Sequence, residues 1–112
     1  MNLFEMANVR PDETGLKMVV YISPRMGVKH GPRIKVSTFY GEKIYNGTLH
    51  DKGNYFSITI EDEPRVIGRV GDIKLEDVKK ACQFVRENKD VLLKLWYDEI
   101  SPTVAVQGFS KV

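Results

Sequence analysis

Cysteine is almost absent from this chain of 112 residues, and its scarcity excludes support from disulfides. The single thiol, Cys82, has no partner for an internal disulfide, and the two histidines, His30 and His50, do not combine with it in the spacing of a zinc site. We therefore expect no metal and no other cofactor, with Cys82 as a small apolar residue of the core. A free thiol also fits the reducing conditions of the cytoplasm, where we expect this protein.

Long apolar runs are missing as well. No stretch approaches the roughly 20 apolar residues that a membrane-spanning helix requires. Residues 1–7 lack the basic start and the apolar continuation of a secretion signal. These absences predict a soluble protein that is not secreted and has no membrane partner. Hydrophobic residues still make up 42% of the chain, which is enough for one domain with a core of its own.

A strong excess of one charge is the third absence. Seventeen Lys and Arg residues oppose fifteen Asp and Glu residues, so the net charge is only +2 with neutral histidines. A bulk charge of this size is not typical of a dedicated nucleic-acid binder. The distribution is less even than the total, because residues 17–35 contain five Lys or Arg residues and His30 but no Asp or Glu. This segment predicts a local basic patch.

The basic segment leads into a predicted strand whose two faces differ in chemistry. Residues 29–36 read Lys-His-Gly-Pro-Arg-Ile-Lys-Val. Because side chains alternate along a strand, Ile34 and Val36 would face the core while Arg33 and Lys35 face solvent. The pattern therefore predicts a surface that faces an anion.

Arginine and lysine suit phosphate oxygens, and Phe39 and Tyr55 would add stacking surface for single-stranded bases on the same side of the sheet. A solvated strand face, whose charges discourage association between sheet edges, is the alternative interpretation. The candidate residues for binding nucleic acid or another anion are Arg25, Lys29, His30, Arg33 and Lys35.

Strand patterns fill most of the chain before residue 71. Turn chemistry separates an N-terminal arm, residues 1–15, from a single domain, residues 16–112. We expect the arm to lie outside the core. The predicted strands, in chain order, are residues 16–22, 32–40, 43–49, 55–60 and 65–70.

Helical patterns begin at Lys74, where the apolar period changes from two to about 3.6. Asn88 would end the first helix in a left-handed cap conformation, and Asp90 would cap the start of the second. Ser101 and Pro102 would stop that second helix. The apolar stripe of the first helix comprises Leu75, Val78, Ala81, Cys82 and Val85.

The tail contains residues 104–109, which have high strand propensity. They predict either an edge strand of the same domain or a segment that binds a partner. Strands first and helices last are typical of the α+β class. We therefore expect a small antiparallel sheet of four or five strands, followed by two C-terminal helices packed on one face.

Two stretches support a family resemblance. Residues 88–96 read Asn-x-x-x-Leu-Leu-x-x-Trp, and a proline leads into the strand that reaches Val36. Roughly from residue 16 to residue 98, the chain resembles a small bacterial domain family of unknown function that is often encoded in toxin–antitoxin-like gene pairs. The family enters its strand through Pro-Pro-His-x-His-Val. Arg33 and Lys35 replace these histidines, so positive charge is kept and proton transfer is not implied. The matched residues, all with structural roles, are Pro32, Val36, Leu92, Leu93 and Trp96.

Three functions follow as hypotheses. The first is a binding domain of a toxin–antitoxin-like or mobile-element system, which contacts RNA, DNA or a cognate small protein through the basic strand and loop. The second is a metal-independent ribonuclease in which His30 or His50 transfers protons while Arg33 and Lys35 hold phosphate. The third is an interaction module, such as a homodimer or a viral inhibitor of host machinery, joined through residues 103–112. We favour binding over catalysis and assign no catalytic residue.

Overall fold

Five short strands form one antiparallel sheet in the computed structural model, which describes residues 7–22, 30–41 and 54–112. Each strand pairs with its neighbours in sequence, so the order across the sheet is also the order along the chain. The strands are β1 Ala7–Val9, β2 Val20–Ile22, β3 Arg33–Ser37, β4 Tyr55–Thr59 and β5 Val66–Ile67. The predicted α+β class with a small antiparallel sheet is confirmed.

Helices follow the sheet in sequence and cover one of its faces. The short α1 Pro11–Thr14 lies between β1 and β2, and the C-terminal part of the chain forms α2 Leu75–Glu87, α3 Lys89–Trp96 and α4 Pro102–Gln107. Contacts join α2 to β4 and α4 to β1. None of the helices in the described ranges has the length and apolar character needed to cross a membrane.

The register of the sheet separates an inner from an outer face. Val36 lies opposite both Val20 and Phe56, and these three side chains are almost fully buried. Because directly opposed residues share a face, this row marks the inner side, against which the helices pack. Lys35 lies opposite Tyr21 and Ser57 and marks the outer side.

The core lies between the inner face and the helices. Phe84 of α2 is fully buried, and its ring meets that of Phe109 edge to face at a centroid distance of 5.1 Å. The helical stripe is therefore shifted from the predicted one: Leu75 is 69% exposed, while Phe84 joins the buried residues. The largest fully buried side chains include Phe56, Phe84, Met18, Ile22, Ile34, Ile58, Leu92 and Leu95.

The segment that we expected to be an arm contributes to the sheet where the structure describes it. Ala7–Val9 pairs with β2, and the Val9 side chain is fully buried. The turn after α1 contains Gly15, whose φ of 83° requires the left-handed conformation that glycine tolerates best. Val9 lies directly opposite Val20, which is on the inner face, so Val9 joins the same core.

A second glycine, Gly71, fixes the approach to α2. Its φ is 63°, and a Cβ atom built there would lie 2.7 Å from the Cβ atom of Thr38. The turn after β5 therefore touches the end of β3 so closely that only a residue without a side chain fits. This contact sets where α2 begins relative to the sheet.

Asn88 separates α2 from α3 by a means other than the expected one. Its φ is −110°, so the predicted left-handed cap is wrong. Instead its buried side chain bonds to the backbone: Nδ2 donates to Phe84 O at 2.9 Å and to Ser110 O at 3.0 Å, and Oδ1 accepts from Ser110 N at 2.7 Å. The side chain thus ties the helix junction to the end of the tail.

The tail is helical, so the predicted edge strand is wrong. Ser101 accepts a hydrogen bond from Val104 N at its side-chain oxygen, and Pro102 occupies the first turn. Both residues are typical of a helix start, which outweighs the strand propensity of the valines that follow. Ala105 of α4 is fully buried. Since α3 ends at Trp96, Ser101 and Pro102 begin a helix instead of stopping one.

Two predicted strands are shorter than expected, and one cannot be compared. Of residues 16–22, only Val20–Ile22 joins the ladder, although Leu16 and Met18 are buried. Of residues 65–70, only Val66–Ile67 is a strand. The predicted strand over residues 43–49 lies outside the described residues.

Candidate anion-binding face

Two cations lie side by side on the outer face of the sheet. Arg33 and Lys35 alternate with Ile34 and Val36, whose side chains are 2% and 0% exposed in the core. Alternation therefore directs both cations away from the helices, as predicted. Their side chains are half-buried, so they lie along the sheet surface.

An aromatic ring lies beside one of these two cations. The Nζ atom of Lys35 lies 4.7 Å from the centroid of the Tyr55 ring, which is within the range of a cation–π interaction. Tyr55 lies opposite Ser37 and is therefore the diagonal neighbour of Lys35 on the adjacent strand. We call Arg33, Lys35 and Tyr55 the basic face.

The electrostatics of the basic face are unfavourable without a bound anion. Burial lowers the pKa of Lys35 below its ordinary value, and the positive charge of Arg33 lowers that pKa further. The ion pairs found within residues 7–22, 30–41 and 54–112 include neither cation. An anion placed between the two side chains would offset both effects.

The remaining outer-face residues define a small accessible area. Tyr21, opposite Lys35, is buried, and burial raises the pKa of its hydroxyl. Ser37 and Ser57 are buried as well. Phe39 lies beyond the end of β3, and its N–H donates to Ser37 Oγ at 3.1 Å, so strand alternation does not place its ring on this face. The accessible part of this face therefore comprises the basic face together with Ile67, which lies opposite Ser57 and is 42% exposed, and Asn8, which lies opposite Tyr21.

His30 lies apart from the two cations. Its ring is 5.6 Å from that of Trp96, at the end of α3, and its Nδ1 lies 2.9 Å from Gly31 O. The contact with Trp96 directs His30 toward the helices, whereas Arg33 and Lys35 point the other way. Three further residues named from the sequence, Arg25, Lys29 and His50, lie outside the described residues.

A second polar cluster is built on Asp77, which the predicted apolar stripe of the first helix does not include. Its side chain is buried, and Oδ2 accepts a hydrogen bond of 2.6 Å from the Tyr40 hydroxyl. That hydroxyl also accepts from Lys74 N at 2.9 Å, and Lys17 Nζ lies 3.9 Å from Asp77 Oδ1. The hydrogen bond to Asp77 is the main reason why the pKa of Tyr40 is raised.

This cluster borders an open cavity of about 420 Å³, which Gly41 also lines. The Tyr40 hydroxyl both donates and accepts, and both oxygens of Asp77 have partners, so the cluster fastens the segment after β3 to the first turn of α2. The sequence signal was the position of Asp77 in that first turn, where a carboxylate complements the helix dipole.

Two carboxylates of the acidic turn at residues 61–63 form ion pairs, Glu61 with Arg65 and Asp62 with Lys89. The hydrogen bond to Thr59, together with that to Arg65, lowers the pKa of Glu61, and the hydrogen bond to Lys89 lowers the pKa of Asp62. Within the described ranges, no three His, Cys, Asp or Glu side chains are grouped to hold a metal ion. Cys82 is half-buried, and burial raises the pKa of its thiol, which disfavours the reactive thiolate.

Comparison of the chain with protein-family models, curated proteins and solved structures found no match. The resemblance to the toxin–antitoxin-associated family therefore stays a prediction, and the function is argued from the geometry alone.

Proposed function

We propose that this protein binds single-stranded nucleic acid through the basic face, with phosphates at Arg33 and Lys35 and a base against Tyr55. The observation that supports the proposal most directly is the position of Lys35, which is half-buried beside Arg33 with no carboxylate partner in the described ranges. The two adjacent cations repel each other and one of them loses hydration, and an anionic ligand would offset both costs.

Phosphate fits the two side chains in different ways. Arg33 offers a planar fork that can hold two oxygens, and Lys35 adds a mobile point charge on the same strand. Their spacing of two residues along β3 corresponds to about 6.6 Å, which is close to the distance between successive phosphates of an extended strand. Binding would raise the pKa of Lys35, because the negative charge favours its protonated form.

Tyr55 is the reason for preferring nucleic acid to an acidic protein. Its ring lies next to the cations on a flat sheet surface, and stacking of a base on an aromatic ring is worth about 1–3 kcal/mol. In the free protein, Lys35 occupies one face of this ring. We expect Lys35 to move from the ring to a phosphate as the base stacks.

Titration of a fluorescently labelled single-stranded oligonucleotide at several salt concentrations tests the proposal. We expect affinity to fall steeply with salt, and the double variant Arg33→Ala/Lys35→Ala to reduce the slope of log affinity against log salt by about 1.5. Lys80→Ala/Lys94→Ala is the matched control, since it removes two exposed lysines of α2 and α3 and should leave the affinity and its salt dependence largely unchanged.

Variants of Tyr55 distinguish the contribution of base stacking to affinity from the contribution of charge. Tyr55→Phe keeps an aromatic ring and should retain most of the affinity, whereas Tyr55→Leu should lower it about tenfold at every salt concentration. Absence of binding at low salt, or equal losses in the test and control double variants, would refute the proposal.

A further inference from the structure

A groove lies between the last strand and the first long helix, on the side of the molecule where the sheet ends. It has a volume of about 640 Å³ and an apolar floor that includes Val66, Val78 and Cys82. Leu75, at its margin, is 69% exposed, and Val66 is 38% exposed. Exposed apolar side chains along a groove are typical of an interaction site.

The groove is bordered by a sheet edge that has room for another strand. In the order β1 to β5, β5 is the last strand, and no described residue pairs with its outer side. The N–H and C=O groups on that side are available to a further strand. Because β5 has only two residues, strand pairing would contribute few hydrogen bonds, and the helix beside it would have to supply the rest of the interface.

Charges along the exposed side of α2 suit a second copy of the same chain. Lys79 and Glu87 line the groove, and Gln83 lies midway between them, four residues from each. If two α2 helices run antiparallel about a two-fold axis at Gln83, Lys79 of each copy faces Glu87 of the other. A two-fold interface requires this kind of self-complementarity, in which a contact between two residues is repeated with the copies exchanged.

The same two-fold axis can relate the two β5 strands and the two α2 helices. Antiparallel pairing of β5 with its copy would continue the sheet and place the two α2 helices on one side of it. Since α2 packs over β4, the helices would be separated by three strand spacings, or about 14 Å. Long side chains such as Lys79 and Glu87 span that separation, and the side chains of Val66 and Leu75 would fill the space beneath them.

We infer that the protein forms a two-fold symmetric homodimer through the β5 edge and the α2 groove, with Lys79 of each copy paired to Glu87 of the other. This interface differs from the tail that the sequence suggested for association, because residues of that tail are used within the fold. It is also separate from the basic face, so dimerisation and nucleic-acid binding are expected to fail independently.

Sedimentation equilibrium over a wide range of protein concentration tests the dimer directly. We expect the mass to rise from one chain to two. Lys79→Glu reverses both symmetric charge pairs and should weaken the dimer about tenfold, and Glu87→Lys should do the same. The double variant Lys79→Glu/Glu87→Lys restores opposite charges across the axis and should recover most of the affinity.

Lys94→Glu is the matched control, because it makes the same charge change at an exposed lysine of α3 that does not line the groove. Leu75→Lys should also weaken association, and its high exposure makes it compatible with folding, which circular dichroism checks. A single-chain mass at the highest concentration would overturn the inference. So would a dimer that Lys79→Glu and Lys94→Glu weaken equally, or one that the double charge exchange does not restore.

Discussion

The polar side chains on the helix side of the sheet and the cations on its outer side differ in whether they have partners. On the helix side, Asn88 and Asp77 are buried, and each has hydrogen-bond partners. On the outer side, Arg33 and Lys35 are half-buried with no carboxylate partner in the described ranges. Asn88 and Asp77 stabilise the fold through these hydrogen bonds. For Arg33 and Lys35, the proposed anionic ligand would supply the missing partner. The comparison predicts that substitutions on the helix side destabilise and that substitutions on the outer side affect binding.

The largest effect should come from Phe84, at the centre of the helix side. Phe84→Ala removes a fully buried ring and its edge contact with Phe109, so we expect a loss of about 3–5 kcal/mol in the free energy of unfolding. Leu75→Ala is the matched control on the same helix, and at protein concentrations at which the chain is a monomer the loss of its exposed side chain should cost less than about 0.5 kcal/mol. Urea unfolding measures both. Equal losses would contradict the finding that Phe84, and not Leu75, lies on the buried side of α2.

Asn88 should rank second. Asn88→Ala leaves the N–H and C=O groups of Ser110 without their side-chain partner, so we expect a loss of about 1–3 kcal/mol by urea unfolding. Ser110→Ala is the control, because Ser110 takes part in these bonds only through its backbone, and it should be nearly neutral. A large effect of Ser110→Ala would show that the link does not work through Asn88.

Tyr40→Phe should have a smaller effect, and one that depends on pH. The hydrogen bond to Asp77 raises the pKa of Tyr40 above its ordinary 10.0, so the stability from this bond is present below pH 10.0 and is lost as pH rises through the raised pKa. The urea concentration at the midpoint of unfolding should therefore fall less steeply with rising pH, above pH 10.0, in Tyr40→Phe than in the original protein. Some decline should remain, since burial also raises the pKa of Tyr21. Parallel decline in both proteins would contradict the assignment.

The smallest effect on stability should come from Lys35, although we expect a large effect of this residue on the proposed binding. Lys35→Met keeps most of the apolar stem and removes a charge that burial and Arg33 disfavour, so stability at neutral pH should change by less than about 0.5 kcal/mol. The lowered pKa means that the original protein gains stability as pH rises toward 10.5, and the variant should lack this gain. A substantial loss of stability at neutral pH would place Lys35 among the structural residues.

Sequence patterns predicted the sheet best where apolar and polar side chains alternate regularly. Residues 55–60 alternate apolar and polar side chains, and Phe56, Ile58 and Ile60 are all buried. The same reasoning placed Ile34 and Val36 in the core and Arg33 and Lys35 outside it. Alternation succeeds here because a shift of one residue would exchange the two faces completely.

The tail was mispredicted for a physical reason. Three β-branched residues within Thr103 to Val106 suggest a strand, but Ser101 and Pro102 supply a cap and a proline suited to the first helical turn. Ser101 and Pro102 are equally compatible with the end of the preceding helix, which is the role that the sequence pattern alone predicts for them. Local capping and burial of Ala105 outweigh a propensity that is worth only tenths of a kcal/mol for each residue.

The candidate site was only partly predictable. Alternation located Arg33 and Lys35, but the position of Tyr55 beside Lys35 depends on the register between β3 and β4, which no local pattern specifies. His30 is near these residues in sequence but contacts Trp96 on another side of the molecule. The bond between Tyr40 and Asp77 joins residues 37 apart, so neither residue alone indicates it.

The order of strands in the sheet also has a consequence for the rate of folding. Every strand pairs with its neighbour in sequence, so the sheet can grow by successive antiparallel pairings, and the longest loop that has to close joins Ser37 to Tyr55. The packing of α4 against β1 is different, because it joins segments that are distant in sequence. We expect this contact to form late in folding, so Ala105→Gly in α4 should accelerate unfolding and leave the refolding rate almost unchanged.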